Sequence, residues 1–147
     1  MYRHILIPTD GSELAEHAVT NGLSLAKSLG AKVTVIIVEE PYPSYWHGFA
    51  GHGALEELAN LTAQIKKHAA SVLDRVANAA KQAGVSFDTI QVADAQPHQA
   101  IIATAADRGC DLIVMASHGR SGLSALVLGS VTNKVLMHTK TPVLVCQ

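Results

Sequence analysis

The chain reads as an α/β protein: an open five-stranded parallel sheet, order 3-2-1-4-5, with helices on both faces. Three observations point there. Short apolar runs of strand length alternate with longer stretches of helical spacing from one end of the sequence to the other. Two of those runs, HILIP (4–8) and DLIVMAS (111–117), are apolar almost without a break, as central strands buried on both faces must be. A length of 147 residues suits one compact domain, 1–147, able to bury about 68–70% of its unfolded surface.

Strand one is HILIP, and Ser12 after it is the expected N-cap of the first helix, which carries Leu14, Ala15, Ala18, Leu25, Ala26 and Leu29 to a stop at Gly30. Strand two is KVTVIIVE (32–39). The longest helical pattern runs from about Leu55 to Ala83, with Leu58, Leu61, Ile65, Ala69, Val72, Leu73, Val76 and Ala80 recurring at three- and four-residue steps, and Gly84 ends it. Strand three, SFDTIQVA (86–93), alternates polar and apolar residues, as a sheet edge permits. A third helix starts near Pro97, a favoured first helical position, and continues to Gly109. Strand four follows at 111–117. A fourth helix opens at Ser130 and stops before Pro142, and PVLVCQ (142–147) is the last strand. Strands one and four then lie side by side.

Composition excludes several classes of function. Eleven basic and twelve acidic residues give a formal net charge of −1, and the lysines are scattered, which argues against a nucleic-acid partner. Cys110 and Cys146 make neither a disulfide framework nor a zinc site by themselves. The start, MYRHILIPTDGS, lacks a signal-peptide pattern, and no apolar stretch approaches the roughly 18 residues of a membrane span. The expectation is a cytoplasmic protein that binds no membrane.

In a sheet of this order, ligands bind in a crevice at the carboxyl ends of the two central strands, where the chain crosses to the opposite face. Thr9 and Asp10 end strand one there, and Ala116 to Gly119 end strand four. The stretch MASHGRSGLSALVLGS (115–130) places Gly119 after the strand and Gly129-Ser130 before the helix. Small residues let backbone amides approach a ligand, and a helix N-terminus offers unpaired N–H groups to an anion. Gly119 with its neighbours would meet one phosphate, and Gly129 with Ser130 and Thr132 another. The spacing alone leaves a second reading open, in which Gly119 is a turn and Gly129-Ser130 a helix start. It is neither GxxxxGK[ST] nor GxGxxG. Asp10 is suited to accept ribose hydroxyls or to help hold a magnesium ion, and equally to cap a turn.

HILIPTDGSELAEHA at the start and LIVMASHGRSGLSALVLGSVTNKVLMHTKTPVLV at the end, with this order of elements between them, resemble the universal stress protein family over nearly the whole chain. Its ATP-binding members carry glycine, two residues, glycine, nine residues, then glycine followed by serine or threonine. The pattern is matched at Gly119, at residues 120–128 and at Gly129-Ser130, while Ala116 stands where the first glycine would be. The resemblance implies a Rossmann-like fold of the adenine nucleotide alpha hydrolase type, and a dimeric stress-response or regulatory protein that binds ATP, with magnesium. It implies that Asp10 meets the ribose, that Pro8, Thr9 and Val38 border adenine, and that Gly119, Gly129, Ser130, Val131 and Thr132 hold ribose and phosphates. Two other functions stay in view: a dimeric interaction module that binds no nucleotide, kept open by Ala116, and a slow ATPase, for which no convincing base or arginine clamp is present.

His47 and His52 lie in PYPSYWHGFAGHG (41–53), which reads as a loop covering the crevice mouth rather than as a metal site. His118 follows Ser117. Neighbours at a strand end tend to point to opposite sides, so the two are expected not to hydrogen-bond and His118 to border the ligand. Arg120 is a candidate phosphate partner. The apolar last strand, on the sheet edge, is the expected seam of a homodimer through Val143 and Val145, alongside a further protein partner of unknown kind.

Overall fold

A computed structural model describes residues 1–41, 53–119 and 128–147. The elements follow the expected order: β1 (His4–Pro8), α1 (Glu13–Leu29), β2 (Lys32–Glu39), α2 (Ala54–Ala83), β3 (Phe87–Ala93), α3 (Pro97–Asp107), β4 (Leu112–Ala116), α4 (Ser130–His138) and β5 (Val143–Cys146). The sheet runs β3-β2-β1-β4-β5 with every pairing parallel. The chain therefore reverses direction across the sheet after β3, and the crevice opens at that reversal, between β1 and β4.

Pleating sorts the side chains. Ile5, Ile7, Val33, Val35, Ile37, Leu112 and Val114 build one core with residues of α1 and α2. Leu6, Ile36, Ile113 and Met115 build the other with Ile101 and Ala105 of α3 and Val135 of α4. Ile5, Leu6 and Ile7 are wholly buried, which is why β1 reads as an unbroken apolar run. β3, at the edge, alternates half-buried and exposed residues over most of its length.

The helix ends follow local chemistry. Ser12 Oγ accepts the N–H of Ala15 at 3.3 Å, and the left-handed Gly30 (φ 65°) returns its own N–H to the carbonyls of Ala26 and Lys27. α1 lies close on β1 because Gly22 has no side chain: a Cβ there would stand 2.5 Å from Ile7 Cδ1.

Three strands differ in their bounds from the expected ones. β3 begins at Phe87, β5 spans Val143–Cys146, and β4 spans Leu112–Ala116, so Ser117 has already left the pleat. The early residues of α2 differ more. Ala69, Val72, Leu73, Val76 and Ala80 are buried as expected, but Leu58 and Ile65 are only half-buried and Leu61 is exposed. Length explains it. Thirty helical residues reach about 45 Å, whereas the eight of β2 reach about 26 Å, so the first half of α2 overhangs the carboxyl ends of the strands.

Candidate functional site

The site is built from two strand ends. After β1, the Thr9 N–H still donates to the Ile36 carbonyl at 2.9 Å, so the turn starts from a fixed point. Asp10 Oδ1 then accepts the Ser12 N–H at 3.0 Å, an Asx-type turn that sets the carboxylate at the mouth of the crevice. Gly11 makes the turn possible, since it sits at φ 76° with Val72 of α2 where a Cβ would be.

After β4, Ser117 donates its N–H to the Cys146 carbonyl at 2.7 Å and accepts the Gly129 N–H on its own carbonyl at 2.8 Å. The second contact brings the two ends of the glycine-rich stretch together. A Cβ on Gly129 would stand 3.2 Å from both His118 Cα and the Ser117 carbonyl oxygen, and one on Gly119 would stand 2.5 Å from Asp10 Oδ2. Neither glycine is among those with positive φ. They are required for close approach: Gly129 to the β4 end, and Gly119 to the Asp10 carboxylate.

α4 starts from that junction. The Asn133 N–H reaches the Gly129 carbonyl at 2.9 Å, and buried Thr132 donates its hydroxyl to the Ala116 carbonyl at 2.9 Å. The first turn of α4 is thus aligned with its N–H groups beside Gly129, and no side chain caps it. Ala116 is buried, with its methyl packed in the core on the α1/α2 side.

Ser117 and His118 do hydrogen-bond, Oγ to Nδ1 at 3.0 Å, contrary to the expectation from strand alternation. Alternation governs a pleated strand, and β4 has ended by Ser117. The pair is nonetheless no exposed nucleophile and base, because Ser117 is 2% exposed. His118 Nε2 is buried and has no hydrogen-bond partner among the described residues.

These parts surround a cavity of about 950 Å³, near the upper end of the usual range for small-molecule sites. Pro8, Thr9, Asp10, Val38, Ala116, His118, Gly119, Gly129, Ser130, Val131 and Thr132 all line it. Arg120, together with His47 and His52 and nearly all of the 41–53 loop, lies outside the described residues. Residues not foreseen from sequence also line the wall: Glu39 and Glu40 at the end of β2, and Leu61, Gln64, Ile65 and His68 on the overhanging part of α2. For Leu61 and Ile65 the helical spacing of α2 was the only signal, and it pointed to the core. Asp10, Glu39 and Glu40 supply carboxylates, and no lysine or arginine is among the described lining residues.

The universal stress protein family matches residues 1–147. The chain belongs to this family. It is 33% identical over 155 aligned positions to universal stress protein MJ0577 of Methanocaldococcus jannaschii, covering 99% of this chain and 94% of that protein. The solved structure of MJ0577 superposes with a TM-score of 0.82 at 29% identity, over 99% and 96% of the two chains. A universal stress protein solved in complex with cAMP superposes with a TM-score of 0.69 at 25% identity, over 99% and 97%. The Archaeoglobus fulgidus member in complex with dAMP has a TM-score of 0.71 at 18% identity, over 99% and 98%, and is similar in fold alone. Among the described residues of this universal stress protein, no helix is long and apolar enough to cross a membrane.

Proposed function

We propose that this universal stress protein is a cytoplasmic regulatory protein whose cavity binds an adenine nucleotide, with ATP and its magnesium ion as the ligand. The observation that carries the reading is the close approach that two glycines permit at the crevice, Gly119 to the Asp10 carboxylate and Gly129 to the end of β4. A Cβ on Gly119 would run into Asp10, and the Gly129 N–H closes onto Ser117. Bare backbone at both glycines thus lies against the strand ends beside a helix N-terminus, which suits phosphate oxygens, while Asp10 suits ribose hydroxyls. Pro8 and Val38 supply an apolar border for a base. The relative in complex with cAMP supports an adenine nucleotide as the ligand class.

A magnesium ion fits only as a passenger on the phosphates. No group of three or more histidine, cysteine or carboxylate side chains able to hold a metal occurs among the described residues, so Asp10 would be its protein ligand.

Mass spectrometry of nucleotide released from freshly purified protein, with calorimetric titration of Mg-ATP, tests the reading. Bound adenine nucleotide or a saturable heat supports it. A clean protein with no heat of binding overturns it in favour of a dimeric interaction module, the reading that Ala116 in place of glycine favours.

The proposed homodimer uses the β5 edge. Val143 packs against the α3/α4 core, whereas Leu144 is 43% exposed, so Leu144 is the residue to charge. Leu144→Asp should yield a monomer by sedimentation. A dimer that survives it does not use this edge.

A further inference from the structure

Two imidazoles from different helices meet at the surface, outside the crevice. His98 is the second residue of α3 and His138 the last of α4, and their ring centroids stand 5.8 Å apart with the planes tilted by 50°. His98 is half-buried and His138 is exposed, so water reaches the pair. Neither residue lines the cavity.

The His138 ring is already oriented. Its Nδ1–H donates to the Lys134 carbonyl, one turn back along α4, at 2.8 Å, which fixes the tautomer and leaves the Nε2 lone pair for another partner. A histidine that ligates a metal almost always has its other ring nitrogen held in this way. The His98 ring makes no hydrogen bond among the described residues, so it can turn toward whatever His138 binds. Two imidazoles on one tetrahedral zinc ion, with Zn–N about 2.0–2.1 Å, hold their centroids about 5 Å apart. Small rotations of two side chains in contact with water close the remaining distance. No third histidine, cysteine or carboxylate joins them among the described residues, so water completes the coordination. Imidazole nitrogen suits zinc, nickel or copper, whereas magnesium and calcium want oxygen. Lys134 and Lys140 flank His138 along the chain, and their charge keeps the affinity modest.

We propose that His98 and His138 form a surface site for a first-row divalent cation of the zinc or nickel kind, which bridges the start of α3 to the end of α4. Pro97, next to His98, and Ser130, at the head of α4, both line the crevice, so the cation braces two helices that bound it. The site depends neither on the nucleotide reading nor on a magnesium ion carried by phosphates.

Calorimetric titration of the untagged, nucleotide-free chain with Zn²⁺ and with Ni²⁺, in excess Mg²⁺, compares wild type with His98→Phe, His138→Phe and His17→Ala. Phenylalanine keeps a ring at the contact and removes the ligating nitrogen, while His17, exposed on α1, reports indifferent surface imidazole. Wild type and His17→Ala should each show a site of one equivalent with which Mg²⁺ does not compete. Each phenylalanine variant should lose about 10-fold or more in affinity, since loss of even an outer partner of a ligand costs that much. Thermal melts give a second readout: excess Zn²⁺ should raise the Tm of wild type and leave both phenylalanine variants where they are without metal. If either variant melts poorly without metal, His98→Gln and His138→Gln take their place. Unchanged affinity in both variants, loss in one alone, or no saturable Zn²⁺ or Ni²⁺ binding by wild type overturns the proposal and leaves the pair a packing contact between two helices.

Discussion

The two ends of the sheet treat their polar groups in opposite ways. At the amino end, Asp111 accepts the backbone N–H groups of Arg3 at 2.8 Å and His4 at 3.0 Å. The buried His4 ring donates from Nδ1 to the Arg108 carbonyl at 3.0 Å, which leaves Nε2 to accept the Thr34 hydroxyl at 2.8 Å. Every ring nitrogen there has a partner, so that end is closed. At the carboxyl end, the His118 ring keeps a buried nitrogen with no partner among the described residues, and a large cavity opens beside it. Buried polar groups are normally paired, so an end where they are not is where a ligand is expected. The same strands thus tie the fold together below and carry, above, a buried ring nitrogen with no partner among the described residues.

The strongest way to break this contrast is to fill the open end. Gly119→Val puts branched carbons where Asp10 Oδ2 already stands 2.5 Å from a Cβ position. The carboxylate must swing away, and the cradle loses its room. Affinity for Mg-ATP should fall by about 100-fold, the worth of two or so phosphate hydrogen bonds. The urea midpoint should move little, because neither glycine helps to bury the core. A large drop in midpoint with unchanged affinity would make Gly119 a folding residue and erase the distinction between the two ends.

Legibility differed between the ends for physical reasons. Strand order and helix faces follow from side-chain periodicity, which is local, so β1 and β4 could be placed side by side from HILIP and DLIVMAS. The glycine spacing was equally visible, but its purpose was not. Gly119 and Gly129 serve contacts across the fold, to Asp10 and to Ser117, and nothing in their neighbours indicates that. The α2 wall was hidden for the opposite reason. Leu61 and Ile65 have the spacing of core residues, and only the mismatch in length between a 30-residue helix and an 8-residue strand carries them past the sheet. The Ser117–His118 bond was misjudged because the end of β4 falls one residue earlier than the apolar pattern ends. The His4 network escaped notice because its partners, Thr34, Arg108 and Asp111, are far away in sequence.

The closed end offers the smaller and sharper perturbation. Burial, and after it the charge of Lys32, push the His4 imidazole below its ordinary pKa, outweighing the opposing pull of the Arg108 carbonyl and Asp111. The neutral ring is therefore the folded form, and the unfolded chain takes up the proton first as the solution is acidified. Stability from this group is complete above about pH 6.5 and declines as pH falls below it. Asp111 acts in a separate window: burial works to raise its pKa, but the N–H groups of His4, Arg3 and Asp111 itself hold it lower, so its contribution is lost only below about pH 4. Urea unfolding between about pH 7 and pH 5 therefore isolates His4. His4→Gln keeps a polar group near Thr34, forfeits the bond to Arg108 and cannot titrate. It should cost about 1–2 kcal/mol at neutral pH. The wild-type midpoint should fall toward that of the variant on acidification, while nucleotide affinity at neutral pH stays the same in both. Parallel loss of midpoint in the two proteins would assign the acid sensitivity to another group. A change in affinity would mean that the two ends of the sheet are coupled through β1, the strand that carries His4 at one end and delivers Asp10 at the other.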